Sequence, residues 1–273
     1  MTHVPVATFE DMTVLQVNTH PYLGWDLLSK RAFDRRVATQ RRSYERAVAC
    51  CLTSRWAAES VIRDYDVAPE KVHVVGVGRN HDAPDVGKRD WTEPRFLFVG
   101  MDWARKNGDG VVRAFTRLRQ EVPAARLDVV GGHPPLDTAG IRGHGVLRLD
   151  VRDEHNRLEL LLSEATCFVM PSHAEASAIA YVEAAAAGLP SIGTSAGGSD
   201  FLIGDGGVVV DPTDDRALLD AMRHLSKPDT AARMGAAAKR RSEMFTWTAV
   251  GQRLLRAVQG APAQPFDAPP SFA

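Results

Sequence analysis

Short runs of β-branched and apolar residues alternate with longer helical patterns along almost the whole chain. Such alternation is typical of a parallel β-sheet, because parallel strands need long crossover connections that are usually helices. The sequence therefore predicts an α/β fold. Strands are predicted over residues 13–18, 48–53, 72–75, 95–99, 126–130, 145–149, 167–170 and 191–194. Helices are predicted over residues 54–65, 110–122, 153–164, 178–187 and 214–225.

A polar segment with two prolines, residues 81–94, separates two strand-like runs and is predicted to be a linker. It divides a first domain, residues 1–80, from a second domain, residues 95–244. Residues 245–260 are predicted to form a helix that packs back on the first domain. The proline-rich tail, residues 261–273, is predicted to be disordered.

Composition limits the classes of partner. The 33 basic and 34 acidic side chains leave a formal charge of −1 over 273 residues, so no chain-wide field favours nucleic acid or a membrane surface. Three cysteines without CxxC spacing are typical of a reducing compartment and argue against a structural zinc site. No run approaches the roughly 18 apolar residues of a membrane span, and we expect a cytoplasmic protein.

Ligands of an open parallel sheet bind beyond the carboxyl ends of its strands, so the loops after the predicted strands are the places to search. In one of these loops Glu175 precedes a helix, and Glu183 lies eight residues later within that helix. Both carboxylates can face one cleft, where they would accept hydrogen bonds from the vicinal hydroxyls of a ribose or another sugar. Two glutamates at this spacing also occur on solvated helices, so the surrounding residues decide between the interpretations.

The surroundings of the two glutamates form a recognisable pattern. It consists of Pro171, Ser172, Glu175, Glu183, Ala184, Ala186, Gly188 and Pro190. The pattern resembles the Glu-x7-Glu motif of the family-4 retaining glycosyltransferases of the GT-B fold. The segments FLFVG, RLDVVGGHP, DGGVVVDPTDDRALLDAM and FTWTAVGQRLL also follow in that family's order. The resemblance covers residues 94–258 well and residues 13–80 more weakly.

The resemblance implies two Rossmann-like domains. Residues 95–244 would form a complete C-terminal domain that binds a nucleotide sugar, and residues 1–80 part of an N-terminal domain on the acceptor side. The family's opening strand and glycine-rich loop have no counterpart in this sequence. Three explanations stay open: a misassigned start codon, a truncated gene, or a separate chain that supplies the missing half. A split domain would also favour oligomerisation.

Residue roles follow from the resemblance. Glu183 would hold the ribose hydroxyls, Glu175 the hydroxyls of the donor sugar, and Lys106 the diphosphate with the help of Arg105. A solvated loop lysine is the other interpretation of Lys106. His20 matches a histidine at a strand end of the first domain and would orient the donor or the acceptor. The remaining donor-binding candidates are Gly100, Gly131, Ser177, Ala178, Gly197 and Gly198.

Two departures from the family pattern weaken the assignment. Met101 stands where the family often has arginine, which can bind a phosphate through two hydrogen bonds. Residues 176–178, Ala-Ser-Ala, stand where Gly-Phe-Gly is common, and the added methyl groups narrow the approach of a ligand to the backbone.

The implied function is transfer of a hexosyl group from a nucleoside diphosphate sugar to an unknown acceptor, with retention of anomeric configuration. The acceptor classes are a polysaccharide, a lipid-linked sugar or a small molecule, and no metal or other cofactor is expected. The alternative is a non-catalytic nucleotide-sugar-binding fragment or subunit of a split glycosyltransferase. A third and weaker alternative is a GT-B epimerase or phosphorylase.

Residues 30–46 form a basic segment with seven Lys or Arg residues. A solvated helix is the favoured interpretation, with Ala32, Phe33, Val37, Ala38, Tyr44, Ala47 and Val48 as its packing face. The alternative is peripheral contact with anionic lipid at the inner face of the membrane. Nucleic acid is not an expected partner, because aromatic residues do not alternate with the basic ones.

Overall fold

The computed structural model describes residues 4–19, 29–82, 84, 86–262 and 266. The chain forms two compact units. The first contains Met1–Gly78 and Met244–Ala273, and the second contains Arg79–Glu243. Each unit has a parallel β-sheet with helices, so the predicted α/β class is confirmed.

The elements are numbered in chain order. The strands are β1 (Ala7–Glu10), β2 (Ala49–Leu52), β3 (Val72–Val74), β4 (Arg95–Gly100), β5 (Arg126–Gly131), β6 (Ile141–Gly145), β7 (Cys167–Val169), β8 (Ser191–Thr194) and β9 (Gly207–Val210). The helices are α1 (Val14–Thr19), α2 (Lys30–Arg46), α3 (Arg55–Tyr65), α4 (Gly108–Glu121), α5 (Arg152–Glu164), α6 (Ile179–Ala186), α7 (Ser199–Ile203), α8 (Asp215–Leu225), α9 (Pro228–Ser242) and α10 (Trp247–Val258).

The first unit is built around β2, the central strand of the order β1-β2-β3. Its side chains alternate between two faces, as in any strand. Cys50 and Leu52 pack in a core cluster with residues of α2 and α3. Cys51 lies on the other face, where Val250 of α10 joins it. β2 is thus buried on both faces, which explains its uninterrupted apolar sequence.

The predicted strand over residues 13–18 is wrong, because this segment forms helix α1. The Thr13 hydroxyl accepts a hydrogen bond from the Gln16 backbone N–H at 3.2 Å, and the Gln16 side-chain oxygen accepts one from the Thr13 N–H at 3.0 Å. This reciprocal arrangement is a capping box of the Thr-x-x-Gln type, which satisfies backbone donors at a helix start. The capping signal outweighs the short apolar run that indicated a strand.

The second unit contains a six-stranded sheet in the order β6-β5-β4-β7-β8-β9, and every strand pair is parallel. Counted from β4 as the first strand, the order is 3-2-1-4-5-6, the arrangement of a Rossmann fold. The sequence predicted β4, β5, β7 and β8 within about two residues, within the usual uncertainty of element ends.

The predicted strand over residues 145–149 is wrong in position, because β6 spans Ile141–Gly145. The strand ends at Gly145, whose φ of 66° leaves the extended region. Its backbone N–H donates to the His133 ring at 3.0 Å. Val146 and Leu149, which suggested a buried strand, are exposed.

Residues 86–94 of the predicted linker pack within the second unit. The guanidinium of Arg89 donates hydrogen bonds to four carbonyl oxygens at the ends of α5 and α6, those of Leu162, Ser163, Ala187 and Gly188. Helix C-termini carry unpaired carbonyls and partial negative charge, so one arginine satisfies two helix ends. Burial lowers the pKa of Arg89 to about 10.

The predicted disorder of the tail is wrong at Phe266. This side chain is buried, and its ring lies 5.2 Å from that of Phe245. The Arg253 guanidinium lies over the same ring, 4.2 Å from its centroid. The aromatic residue therefore holds this point of the tail on the first unit.

Gly131 ends β5 with a φ of 116°, and a Cβ added there would lie 2.0 Å from the Gly100 carbonyl oxygen. We expect Gly131→Ala to lower the free energy of unfolding by at least about 3 kcal/mol, through backbone strain plus overlap. Gly145→Ala is the matched control, since a Cβ there meets nothing within 4 Å. This control variant should lower the free energy of unfolding by about 1 kcal/mol, because only the left-handed backbone conformation disfavours alanine there. If urea denaturation showed that both variants lose the same free energy of unfolding, overlap with the Gly100 carbonyl would not be the reason for Gly131.

Candidate functional site

The order of the strands reverses between β4 and β7, which are neighbours in the sheet. The connections that follow these two strands leave the carboxyl edge in opposite directions, and the crevice between them is the usual ligand site of such a sheet. Residues 101–107 follow β4 and residues 170–178 follow β7. The two loops are joined by a hydrogen bond from the His173 backbone N–H to the Arg105 carbonyl oxygen at 2.8 Å.

An ion pair between Lys106 and Glu175 links the loops within this crevice. The Glu175 Oε2 atom also accepts a hydrogen bond from the Ser172 hydroxyl at 3.3 Å. Only 11% of the Lys106 side chain and 8% of the Glu175 side chain are exposed. Burial lowers the pKa of Lys106, and the adjacent Glu175 carboxylate opposes that change. The structure thus brings two predicted site residues into direct contact, away from bulk solvent.

Arg105 fixes the geometry of the same two loops. Its backbone N–H and its Nε atom donate to the Asp102 carboxylate at 3.1 and 3.2 Å, and its Nη1 atom donates to the Ala174 carbonyl at 3.0 Å. The Nη1 atom also lies 3.6 Å from Glu175 Oε2. With two cations and two carboxylates, the cluster of Asp102, Arg105, Lys106 and Glu175 has balanced formal charge.

Gly197 and Gly198 hold the backbone of Glu175. The Glu175 N–H donates to the Ala196 carbonyl at 3.0 Å, and the Gly198 N–H donates to the Glu175 carbonyl at 3.1 Å. Gly197 has a φ of 122°, and a Cβ there would lie 1.8 Å from the Glu175 carbonyl oxygen. The glycine pair therefore joins the loop after β8 to the loop that carries Glu175.

Gly100 and Gly131 are paired in register at the ends of β4 and β5. A Cβ at Gly100 would lie 3.0 Å from the Cγ atom of Lys106. The glycine thus leaves room for the lysine side chain to fold over the strand end. Gly131 is required by its contact with Gly100, which accounts for this glycine without a ligand.

Ser177 and Ala178 lie at the start of α6 and are half-buried. Ala178 is the N-cap residue of α6 and forms no side-chain cap. The helix is held beneath the site by Tyr181, whose hydroxyl donates to the Met170 carbonyl oxygen. Burial raises the pKa of Tyr181 far above its ordinary value, so the hydroxyl stays protonated as a donor.

Glu183 has surroundings different from those of Glu175. Its side chain lines a recess together with His81, Leu149, His155 and Leu162, and it accepts a hydrogen bond from a backbone N–H in the segment before His81. The His81 and His155 rings are in edge contact, with centroids 5.0 Å apart. Burial raises the pKa of Glu183, and nearby His81 opposes that increase.

His20 lies outside the described residues. Its assignment rested on a strand before it, and that premise is wrong because residues 14–19 are helical. The basic segment forms α2, as predicted, and Tyr44 is a buried residue of this helix. Ala38 and Val48 are exposed, so they do not belong to the predicted packing face. Membrane contact through this helix stays a prediction.

Sequence reasoning missed several residues of the site. Asp102 had a detectable signal, because an aspartate three residues before an arginine can pair with it within one loop. His81 and His155 had none, since they come together only when the supposed linker packs on α5.

Comparison with known proteins agrees with this geometry. Residues 93–227 match the family described as glycosyl transferases group 1. We call this part of the chain the glycosyltransferase region. The predicted resemblance to the family-4 glycosyltransferases of the GT-B fold is thus confirmed for the glycosyltransferase region, which includes β4 to α8 and the crevice with Lys106 and Glu175.

Two curated relatives illustrate the similarity of the glycosyltransferase region. One is a GDP-mannose-dependent alpha-(1-6)-phosphatidylinositol monomannoside mannosyltransferase of Mycolicibacterium smegmatis, 33% identical over 57% of this chain and 45% of the relative. The other is a D-inositol 3-phosphate glycosyltransferase of Streptomyces scabiei, 32% identical over 70% of this chain and 49% of the relative. The chain spans about half the length of these relatives.

Solved structures show the same fold. Sucrose-phosphate synthase from Thermosynechococcus elongatus aligns with a TM-score of 0.70 and 21% identity, covering 93% of this chain and 67% of that structure. Anabaena HepE in complex with UDP-glucose aligns with a TM-score of 0.67 and 14% identity, covering 93% of this chain and 72% of that structure. The predicted GT-B-like architecture is confirmed by these alignments.

No helix within residues 4–19, 29–82 and 86–262 is long and apolar enough to cross a membrane. The same part of the chain contains no cluster of three or more His, Cys, Asp or Glu side chains arranged to hold a metal ion.

The buried ion pair leads to a stability prediction. Lys106→Met should lower the free energy of unfolding by about 2 kcal/mol, because it leaves the Glu175 carboxylate buried with a weaker partner in Arg105. Adding Glu175→Gln should recover part of that loss, since the double variant buries no unpaired charge. Urea denaturation of both single variants and the double variant measures the coupling. Strictly additive effects would show that the pair is not coupled.

Proposed function

We propose that this chain transfers a sugar from a nucleoside diphosphate sugar to an acceptor, with retention of anomeric configuration. The observation that carries the proposal is the buried ion pair of Lys106 and Glu175 at the point where the strand order reverses. Membership of residues 93–227 in a glycosyltransferase family supports sugar transfer as the reaction. Retention follows the family-4 resemblance.

The ion pair suggests how the donor would bind. A diphosphate that enters the crevice offers Lys106 a more highly charged partner than Glu175, so the lysine would exchange the carboxylate for phosphate oxygens. That exchange frees the Glu175 carboxylate to accept hydrogen bonds from hydroxyls of the donor sugar. Arg105 and Asp102 keep both loops in place during the exchange. The ion pair thus preorganises both side chains for the donor.

The nucleoside half of the donor would bind beside Glu183, at a recess that has a volume of about 30 Å³ and would have to widen to admit it. The carboxylate suits the ribose hydroxyls, and Leu149 and Leu162 give the recess an apolar wall for a base. The segment around His81 covers this recess, so its backbone hydrogen bond to Glu183 would give way to the ribose.

Bond cleavage places negative charge on the departing nucleoside diphosphate. Lys106, with Arg105 nearby, would stabilise that charge electrostatically in a site already removed from solvent. The cationic pair would take the place of a metal ion, and we propose no cofactor. The leaving phosphate would accept the proton of the acceptor hydroxyl on the same face of the sugar.

A second candidate is a non-catalytic nucleotide-sugar-binding component. Met101 favours this role, because it is 67% exposed and stands where the family often has an arginine that can bind phosphate. The buried Ala176 methyl group beside Glu175 also favours it, because it narrows the approach of a ligand to the backbone. In this role the chain would bind the donor, and a partner chain or a further segment would complete the transferase.

Turnover separates the two candidates. We expect the full chain to release nucleoside diphosphate from GDP-mannose, on which one relative depends, or from UDP-glucose, which is bound in one similar structure. Lys106→Met should reduce that release at least about tenfold. Arg216→Gln, an exposed change on α8, is the control. Donor binding in calorimetry without hydrolysis or transfer would favour the second candidate.

Lys106 should act on the diphosphate and not on the nucleoside. Lys106→Met should raise the Kd of the nucleoside diphosphate about tenfold and leave the Kd of the nucleoside unchanged, because the lost hydrogen bond is charge-assisted. Glu183→Gln should raise both constants, since the ribose is common to both ligands. Equal effects of Lys106→Met on both would remove Lys106 from the phosphate site.

Glu183 should also make nucleoside binding depend on pH. Burial raises the pKa of this carboxyl, so it gains a proton at a higher pH than an ordinary glutamate does. Protonation removes its charge and one acceptor, so affinity should fall as the pH is lowered, and the fall should begin at a higher pH than for an ordinary glutamate. Glu183→Gln keeps His81 and His155, so its pH profile isolates their contribution. Identical profiles for wild type and Glu183→Gln would exclude this role.

A further inference from the structure

A second recess lies at the amino edge of the sheet in the second unit, opposite the crevice of Lys106 and Glu175. It has a volume of about 380 Å³ and opens where β4, β5 and β6 begin. β4 runs from Arg95 at this edge to Gly100 at the opposite edge, a distance of about 17 Å at the rise of a strand. The recess is therefore separate from the proposed donor site.

Arginine dominates the lining of this recess. The five arginines are Arg95, Arg119, Arg126, Arg142 and Arg157, and the acidic lining residues are Asp128 and Glu164. Arg95 pairs with Glu93 at 3.1 Å and with Glu164 at 3.7 Å, and Arg126 lies 4.0 Å from Glu93. Asp128 pairs with the His144 ring.

Three of the arginines lack a carboxylate partner. Within the described part of the chain, no ion pair involves Arg119, Arg142 or Arg157. They come from different elements, namely α4, β6 and α5, yet they line one recess. Positive charge therefore exceeds negative charge at this edge, although the chain as a whole is nearly neutral.

Arg119 provides the sharpest observation. Its Nε atom is buried and has no hydrogen-bond partner among the described residues. The side chain passes over Gly140, where a Cβ would lie 2.2 Å from that same atom. Leaving a buried donor unsatisfied is unfavourable, so such a group calls for an explanation. Its place in the last turn of α4 suits the helix dipole but does not account for the unpaired Nε atom.

We propose that this recess binds a small anion that carries a phosphate or diphosphate group. Guanidinium groups match phosphate oxygens through paired hydrogen bonds, and a phosphate accepts from several arginines at once. The recess volume lies within the range of about 300–1,000 Å³ that small-molecule sites have. Arg119, Arg142 and Arg157 supply the charge, and Gly140 leaves the space that lets Arg119 reach the site.

Calorimetry with pyrophosphate tests the proposal on the full chain. Arg119→Gln and Arg142→Gln should each raise the Kd for pyrophosphate about tenfold, the effect of losing one charge-assisted contact. Arg142 is exposed on β6, so its variant retains the fold if the half-buried Arg119 does not tolerate change. Arg216→Gln removes one positive charge elsewhere in the same unit and should leave the Kd for pyrophosphate unchanged.

The donor crevice is a competing location for pyrophosphate, so each measurement is repeated in a Lys106→Met background. The arginine variants should have the same effect there as in wild type. If Lys106→Met abolishes pyrophosphate binding and the arginine variants match Arg216→Gln, the recess is not an anion site. A loss of melting temperature in Arg119→Gln together with unchanged pyrophosphate affinity would show that Arg119 only supports the end of α4.

Discussion

Lys106 and Glu175 hold two opposite charges out of solvent at the point where the strand order reverses. Removing both charges from water is unfavourable unless the two groups stay in contact, so the pair fixes the loops after β4 and β7 relative to each other. Arg105 adds a second connection through the Ala174 carbonyl. The loops that would bind a donor are therefore positioned before any ligand arrives.

Close backbone contacts complete this arrangement. Gly131 lies against Gly100, and Gly197 lies against the Glu175 carbonyl, at distances that exclude any Cβ. These glycines bring the ends of four neighbouring strands and their loops together around one crevice. The same contacts limit what the glycines reveal about ligands, because each is already required by the protein backbone.

The two edges of the second sheet differ in how their charges are paired. At the carboxyl edge, Asp102 and Glu175 balance Arg105 and Lys106, so binding there requires an exchange of partners. At the amino edge, five arginines outnumber the two carboxylates that line the recess, so an anion would add a missing partner. The second unit thus has a charge-balanced crevice at one edge of its sheet and a separate basic recess at the other.

The sequence by itself determined the α/β class, most strands of the second unit, and the loops that carry Glu175 and Lys106, because apolar periodicity and strand-end position are local properties. Local signals also compete: an apolar run predicted a strand over residues 13–18, but the capping box of Thr13 and Gln16 favours a helix there, and the segment forms α1. Only the tertiary structure decided the contact of Lys106 with Glu175, 69 residues apart, and the packing of Arg89 on two helix ends. Such contacts depend on strand order and on which groups burial forces together, and no sequence window contains that information.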